Sequence, residues 1–473
     1  MLDGNRLFPA EGASARAIAV RLYESVKELP ILSPHGHTDP RWFAENRPFP
    51  NPTALFLQPD HYIFRMLYSQ GIELESLGIP DLGAKADGAG RRKQTDPRAA
   101  WRLFAKNYFL FRGTPTRLWL DHAFSTLFGL EERLTEGNAD AYYDTIARKL
   151  NEPEFLPRAL FERFKIEVLA TTDGAVDALE HHRSIRDSGW AGRVLPTFRP
   201  DAVIDPEFAG FAENLRRLGE LTGEDVASYK GYLNALRARR AFFIANGATA
   251  TDHGHATART ADLPAEEASR LYARVSTGKL EAGDAELFRA QMLTEMAGMS
   301  VEDGLVMQLH PGSVRNHNRA LYERFGRDMG ADIPAPTEYV QSLRPLLSKY
   351  GNERGFTLIV FTLDETTYAR ELAPLAGHYP ALKLGPPWWF HDSPEGMMRF
   401  REQATETAGF YNTVGFNDDT RAFLSIPARH DVARRVDCAF LARLVAEGRL
   451  DEDEAFELAR ELTVGLVKRA YKL

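Results

Sequence analysis

Two histidines one residue apart, His35 and His37, close the apolar run Pro30-Ile31-Leu32-Ser33-Pro34. On an extended strand, residues two apart point to the same side. The pair can therefore offer two imidazoles to one divalent cation, with the run before it as the buried strand that holds both rings. Adding one carboxylate gives a set with positions open to water or substrate, the pattern of a catalytic metal. Asp419, at the end of the last apolar run, is the candidate third ligand. Asp418 competes for that role, and an aspartate here could instead cap a following helix.

Other residues could add binding or proton transfer. His253 and His255 form a second His-x-His, but their flank, Thr249-Ala250-Thr251-Asp252, reads as a polar loop. This pair is the lesser candidate for the main metal site, with His253 facing the pocket. His310 ends an apolar run before Pro311-Gly312 and can face a site or sit hydrogen-bonded in the core. His61-Tyr62, after Asp60, could bring an imidazole and a phenol over a substrate or simply pack. Trp388-Trp389 can stack on a sugar face or fill a barrel mouth. Arg199 and Arg421 end the third and eighth apolar runs; a guanidinium grips a carboxylate bidentately, so the pair suggests an acidic substrate, with structural ion pairing as the alternative. No phosphate-binding glycine loop or dinucleotide fingerprint is found.

Positioning such residues needs strands that end at one face. Eight short apolar runs end in polar residues: 29–39, 164–173, 193–201, 241–255, 304–312, 356–364, 381–390 and 411–421. The fourth starts at Ala241-Phe242-Phe243-Ile244 and reaches Thr251-Asp252-His253. Helical patterns at 176–186, 339–351, 365–375 and 395–409 lie between runs, and strand–helix alternation calls for a parallel sheet with helical crossovers. Eight units suggest an α/β fold of the (β/α)8 barrel type, with its site at the C-terminal strand ends and with first and eighth strands adjacent. About 120 residues separate the first two runs, far more than a crossover needs. Residues 40–160 therefore read as a helical insertion and 256–303 as a second, within a single barrel domain spanning 1–473. Residues 85–94 are rich in Gly, Ala and basic residues and read as a mobile loop. Residues 422–473 read as closing helices that turn at Gly448.

The chain has 473 residues, 44% hydrophobic and 26% charged, as in ordinary soluble enzymes. A net charge of −8 argues against a nucleic-acid partner. The lone cysteine, Cys438, excludes an internal disulfide and a cysteine-based zinc site, and fits a reducing compartment. Neither a signal peptide nor the run of about 20 apolar residues that spans a bilayer is found, so a cytoplasmic protein with no membrane partner is expected.

One ordered set of motifs goes further. It comprises Ser33-Pro34-His35-Gly36-His37, Asp60-His61-Tyr62, Ala170-Thr171-Thr172-Asp173, Pro196-Thr197-Phe198-Arg199-Pro200-Asp201, Asp252-His253-Gly254 and Gln308-Leu309-His310 with Arg315-Asn316. Residues 385–390, Asp419-Thr420-Arg421-Ala422-Phe423-Leu424-Ser425 and Arg429-His430 with Arg434-Arg435 complete it. Together they resemble the uronate (glucuronate) isomerase family of the metal-dependent amidohydrolase superfamily, from about residue 25 onward. The resemblance implies aldose–ketose interconversion of D-glucuronate with D-fructuronate, and of D-galacturonate with D-tagaturonate. It implies His35, His37 and Asp419 as metal ligands, Tyr62 and His61 close to the sugar, Arg199 and Arg421 holding a hexuronate, and His310 with Trp388 or Trp389 lining the pocket. Asp419 or Tyr62 would shuttle the proton and Arg421 would stabilise charge on oxygen. One divalent metal is expected, zinc first and manganese as the alternative for N and O ligands; a homo-oligomer is the expected assembly. The rival enzyme reading is a hydrolase on the same barrel. Its two-metal members carry a bridging lysine at the fourth strand, and none stands between Arg239 and His255. A non-catalytic binder of sugar acids would not need the metal triad.

Overall fold

The computed structural model describes residues 2–9, 12–82 and 95–473. The loop expected at 85–94 lies outside them. Seven parallel strands follow in chain order: Ile31–Ser33, Ile166–Ala170, Arg193–Leu195, Ala250–His253, Val306–Leu309, Leu358–Val360 and Leu382–Leu384. Each pairs with the next. Leu32 faces Val168, Leu169 faces Val194, Thr251 faces Met307, Leu309 faces Val360, and Ile359 faces Lys383. The second and third strands are extended by Asp173–Gly174 and Phe198–Arg199, and Phe198 pairs with Thr251 of the fourth.

The eighth strand is thinner than the sequence suggests. In 411–421 only Thr413 bridges, to Leu384. Two residues break the extended run: Gly415 at φ 77° and Asp419 at φ 39°, both in left-handed backbone. The circle still closes, because the His37 N–H donates to the Thr420 carbonyl at 3.0 Å. The fourth strand also differs. Ala241–Ile244 is the end of a helix, Tyr229–Ala245, capped by the Ser228 hydroxyl. A short apolar run does not by itself distinguish strand from helix. Here Phe243 packs its ring 5.1 Å from Phe198 while Ile244 stays exposed, the one-sided burial of a helix on a sheet. Ala250–His253, expected to be loop, is the strand itself and is wholly buried.

Alternation divides the strand residues between two cores. Leu32, Val168, Ala250, Val306 and Ile359 fill the barrel interior with Phe361 and Trp388. Met307, Leu309, Leu358 and Val360 face outward against the helices. Residues 40–160 are helical, from Pro40–Glu45 through Pro115–Phe128 to Ala139–Lys149, around an aromatic core that includes Phe43, Phe56, Trp101, Phe104 and Phe124. Residues 256–303 contribute Ala265–Ser276 and Asp284–Asp303. The terminal helices Ile426–Ala446, Glu452–Arg460 and Leu466–Tyr471 follow the barrel, with a turn at Gly448, φ 69°. Among the described residues no helix is long and apolar enough to cross a membrane.

Candidate active site

At the C-terminal ends of the strands lies a cavity of about 750 Å³. Ten of the residues singled out in the sequence line it: His35, His37, His61, Tyr62, Arg199, His310, Trp388, Trp389, Asp419 and Arg421; His253, expected to face the pocket, does not, nor do His255 and Asp418.

The first strand delivers His35 and His37 as its alternation requires. Their Nε2 atoms lie 3.4 and 3.2 Å from the same Asp419 Oδ1. Donors bound at about 2.0–2.2 Å to a tetrahedral zinc stand about 3.3 Å apart, so each histidine–carboxylate spacing suits a shared cation, while the tight group of ligating atoms is His35, His310 and Asp419, without His37. Asp419 is not a helix cap, since the helix it precedes starts at Ile426 behind Ser425. Its left-handed backbone turns its carboxylate to the histidines. Asp418 turns away and pairs with His430 Nε2 at 3.0 Å. His310 takes a larger part than a pocket wall. It stacks on His35 at 4.6 Å, and its ligating atom lies within 4.8 Å of those of His35 and Asp419. Its Nε2 is buried without a partner. Its Nδ1 is 2.6 Å from Asp252 Oδ1, the second contact that commonly orients a metal-bound imidazole.

Asp252 was hidden in the sequence by the loop reading of its flank. It also takes Arg199 Nη1 at 3.0 Å, while Arg199 Nε holds Asp201 at 2.8 Å. The ion-pair alternative for Arg199 is therefore realised. Arg421 too has a partner, Asp328 at 3.1 Å. Asp328 belongs to the segment joining the paired strands Ser313–Val314 and Ile333–Pro334. From this segment Arg315, bound to Asp332 at 2.8 Å, stacks on Trp389. No periodic pattern marks it in the sequence.

His61 and Tyr62 open the helix His61–Tyr68, whose cap is Asp60, accepting from the Tyr62 N–H. This explains the Asp-His-Tyr spacing: the capping residue fixes the first turn and aims both rings into the cavity. Tyr62 packs edge-on against Trp119, and His61 lies 5.6 Å from Trp389. Trp388 meets His310 edge-on at 4.7 Å. Behind them, buried Arg429 stacks 3.5 Å over Trp119 and pairs with Asp392.

A family model described as glucuronate isomerase matches residues 13–469. The chain belongs to the glucuronate isomerase family. A uronate isomerase of Xanthomonas campestris pv. campestris (strain B100) is 66% identical over 100% of this chain and 99% of its own. The crystal structure of glucuronate isomerase from Caulobacter crescentus superposes with a TM-score of 0.96 at 60% identity, covering 100% of this chain and 97% of that one. A uronate isomerase from Thermotoga maritima gives 0.91 at 28% identity, with coverage of 100% and 99%. In this family member the fourth barrel strand, Ala-Thr-Asp-His, holds no lysine that could bridge two metals.

Electrostatics sort the site into charged and neutral groups. Burial pushes the Asp419 carboxyl up, but His35 and His37 outweigh it and hold it well below the usual carboxylate range. Asp252 is likewise ionised: burial opposes, and Arg199 and His310 prevail. Burial raises the Tyr62 phenol far above its ordinary value, so it remains a proton donor. His61 is pushed down to about 3, by burial first and then by Arg421, so it is a neutral imidazole. His253 is pushed to about 3 by burial and His255, and burial also lowers His255, so neither is charged near neutrality.

Proposed function

We propose that this chain interconverts D-glucuronate with D-fructuronate and D-galacturonate with D-tagaturonate, as an aldose–ketose isomerase. The observation that carries the reading is the meeting, in one cavity, of an ionised carboxylate at Asp419, a protonated phenol at Tyr62 and the Arg421 guanidinium. Moving hydrogen from C2 to C1 through an enediol requires a base at C2, a donor for oxygen and positive charge where oxygen becomes anionic. Asp419 is the ionised group able to take the C2 proton and return it to C1. Tyr62 can give its proton to a substrate oxygen but cannot serve as a base at neutral pH. Arg421 compensates the enediolate charge once the substrate displaces Asp328. Arg199, fixed by Asp201 and Asp252, and Arg315 offer guanidinium N–H donors to the hexuronate carboxylate, and Trp388 and Trp389 present flat apolar surface to the sugar.

His35, His37 and Asp419, with His310 beside them, are the residues that would hold a divalent cation, zinc by preference and manganese as the alternative. Such an ion supplies Lewis acidity towards a substrate oxygen. The deciding experiment is ketose formation from D-glucuronate and D-galacturonate by purified protein, before and after verified chelation and zinc add-back. Turnover that follows the metal supports both the reaction and the ligand set. Turnover that survives metal removal keeps the reaction and reduces the ion to a positioning role. Absence of turnover on both sugars with metal bound would refute the proposal.

A further inference from the structure

The second His-x-His of the sequence takes no part in the cavity. His253 ends the fourth strand and His255 follows Gly254; neither lines the site. Both are buried, 0% and 3% exposed, and so is Asp201 at 8%. One ligating atom from each of the three lies within 4.8 Å of the others. His253 Nδ1 and His255 Nε2 are buried with no hydrogen-bond partner. An orphaned buried polar atom costs about 1–3 kcal/mol, and two that face one carboxylate point to a missing common partner.

We propose that Asp201, His253 and His255 form a second divalent-cation site, of the zinc class, behind the wall of the catalytic cavity that Asp201 helps to line. The donor set is two imidazole nitrogens and one carboxylate oxygen, which suits zinc over magnesium or calcium. Water completes the coordination. The surroundings are prepared as such sites usually are. His253 Nε2 contacts Thr251 Oγ1 at 3.2 Å, leaving Nδ1 for the cation. Asp201 Oδ2 takes the Arg199 Nε–H and the Gly254 N–H at 2.8 and 3.1 Å. Arg289 is matched by Asp205 at 2.8 Å. Asp201 and Asp252 around Arg199 leave one net negative charge to receive the ion. A Cβ at Gly254, between the two histidines, would lie 2.1 Å from Arg199 Nη2 and would have to displace that guanidinium. The first His-Gly-His faces Asp419 and the second faces Asp201, so the chain uses one local motif at two carboxylates. The second site would tie the 199–201 segment to 253–255 and thereby hold Arg199, whose other face carries Asp252 and, through it, His310.

The test is metal content and location, with hexuronate turnover playing no part, so its failure is separable from failure of the isomerase reading. Protein produced with zinc and freed of loose metal is analysed by mass spectrometry. The His35→Gln/His37→Gln variant should retain one equivalent, and His253→Asn/His255→Gln should lose one relative to the unaltered chain. A zinc-edge anomalous map of the unaltered protein should show a peak between Asp201, His253 and His255, which decides the matter even where a variant does not fold. A map with only water there, or a metal-free His35→Gln/His37→Gln variant, would overturn the proposal.

Discussion

In the proposed reaction Asp419 and Tyr62 divide the work of one proton transfer, because burial disfavours the charged form of both and only Asp419 has neighbours that reverse it. Two imidazoles rescue the charge of Asp419, whereas nothing comparable stabilises a Tyr62 phenolate. Tyr62→Phe keeps the ring against Trp119 and removes only the hydroxyl. We expect kcat to fall by about 10²–10⁴-fold, the usual range for lost acid–base help, with unchanged metal content; a kcat near that of the unaltered chain would show that the phenol moves no proton. Asp173 tests burial by itself. Desolvation lifts its pKa from 3.8 to about 7 against a lowering bond from Thr171. The folded state then keeps a proton that the unfolded chain has released, so this contribution is complete below pH 3.8 and is lost as pH rises towards 7. In urea titrations over that window, Asp173→Asn should lose less stability with rising pH than the unaltered chain. Equal slopes would exclude the residue as the source. At this scale the sequence shows residue types well. It does not show partners: Asp328 gains importance from the Arg421 guanidinium it meets, and Asp252 from Arg199 and His310.

Among elements, the segment between the strands Ser313–Val314 and Ile333–Pro334 is pressed onto the helix His61–Tyr68. Gly330 adopts φ 70°, and a Cβ there would stand 2.7 Å from Arg65 Cβ and 3.0 Å from the His61 carbonyl. Gly330→Ala should cost about 1–3 kcal/mol from overpacking and lower kcat/KM by moving His61, Tyr62 and Asp328 apart. Unchanged kcat/KM would mean that the two elements do not act together on the substrate. Gly36 provides the contrast, since a Cβ there meets its nearest atoms at 3.5 Å, an ordinary contact. The two strands that the sequence misjudged have different causes: left-handed backbone at Gly415 and Asp419 thins the eighth, while hydropathy misplaces the fourth. Apolar runs report burial, and both a barrel strand and a helix on its outer face are buried. Thr251 and Asp252 are polar and buried together, so hydropathy placed the strand too early.

For the whole molecule, the last helix closes the end of the barrel opposite the site. Tyr471 is fully buried in the inner core beside Val168 and Ile359, and its hydroxyl donates to Gln308 Oε1 at 3.1 Å. Tyr471→Phe leaves the Gln308 amide oxygen without this donor and should destabilise the fold by about 1–3 kcal/mol. Denaturant unfolding would measure the loss, and kcat should be retained because Tyr471 does not line the cavity. A variant as stable as the unaltered chain would show that Gln308 finds another partner.

The sequence by itself determined the periodicity of eight units and the placing of polar residues at one end of each. It also determined the local geometry of His35 and His37, because alternation along a strand is a property of the backbone alone. Tertiary structure decided what lies far apart in the chain. The choice of Asp419 over Asp418 follows from a left-handed residue at the barrel seam, which turns one carboxylate to the histidines and the other to His430. The coupling of Arg199 to Asp252 and His310 spans three strands, and that of Arg421 to Asp328 joins the eighth run to the segment over the mouth. Such contacts depend on side chains brought together by closure of the sheet, and no spacing along one segment encodes them.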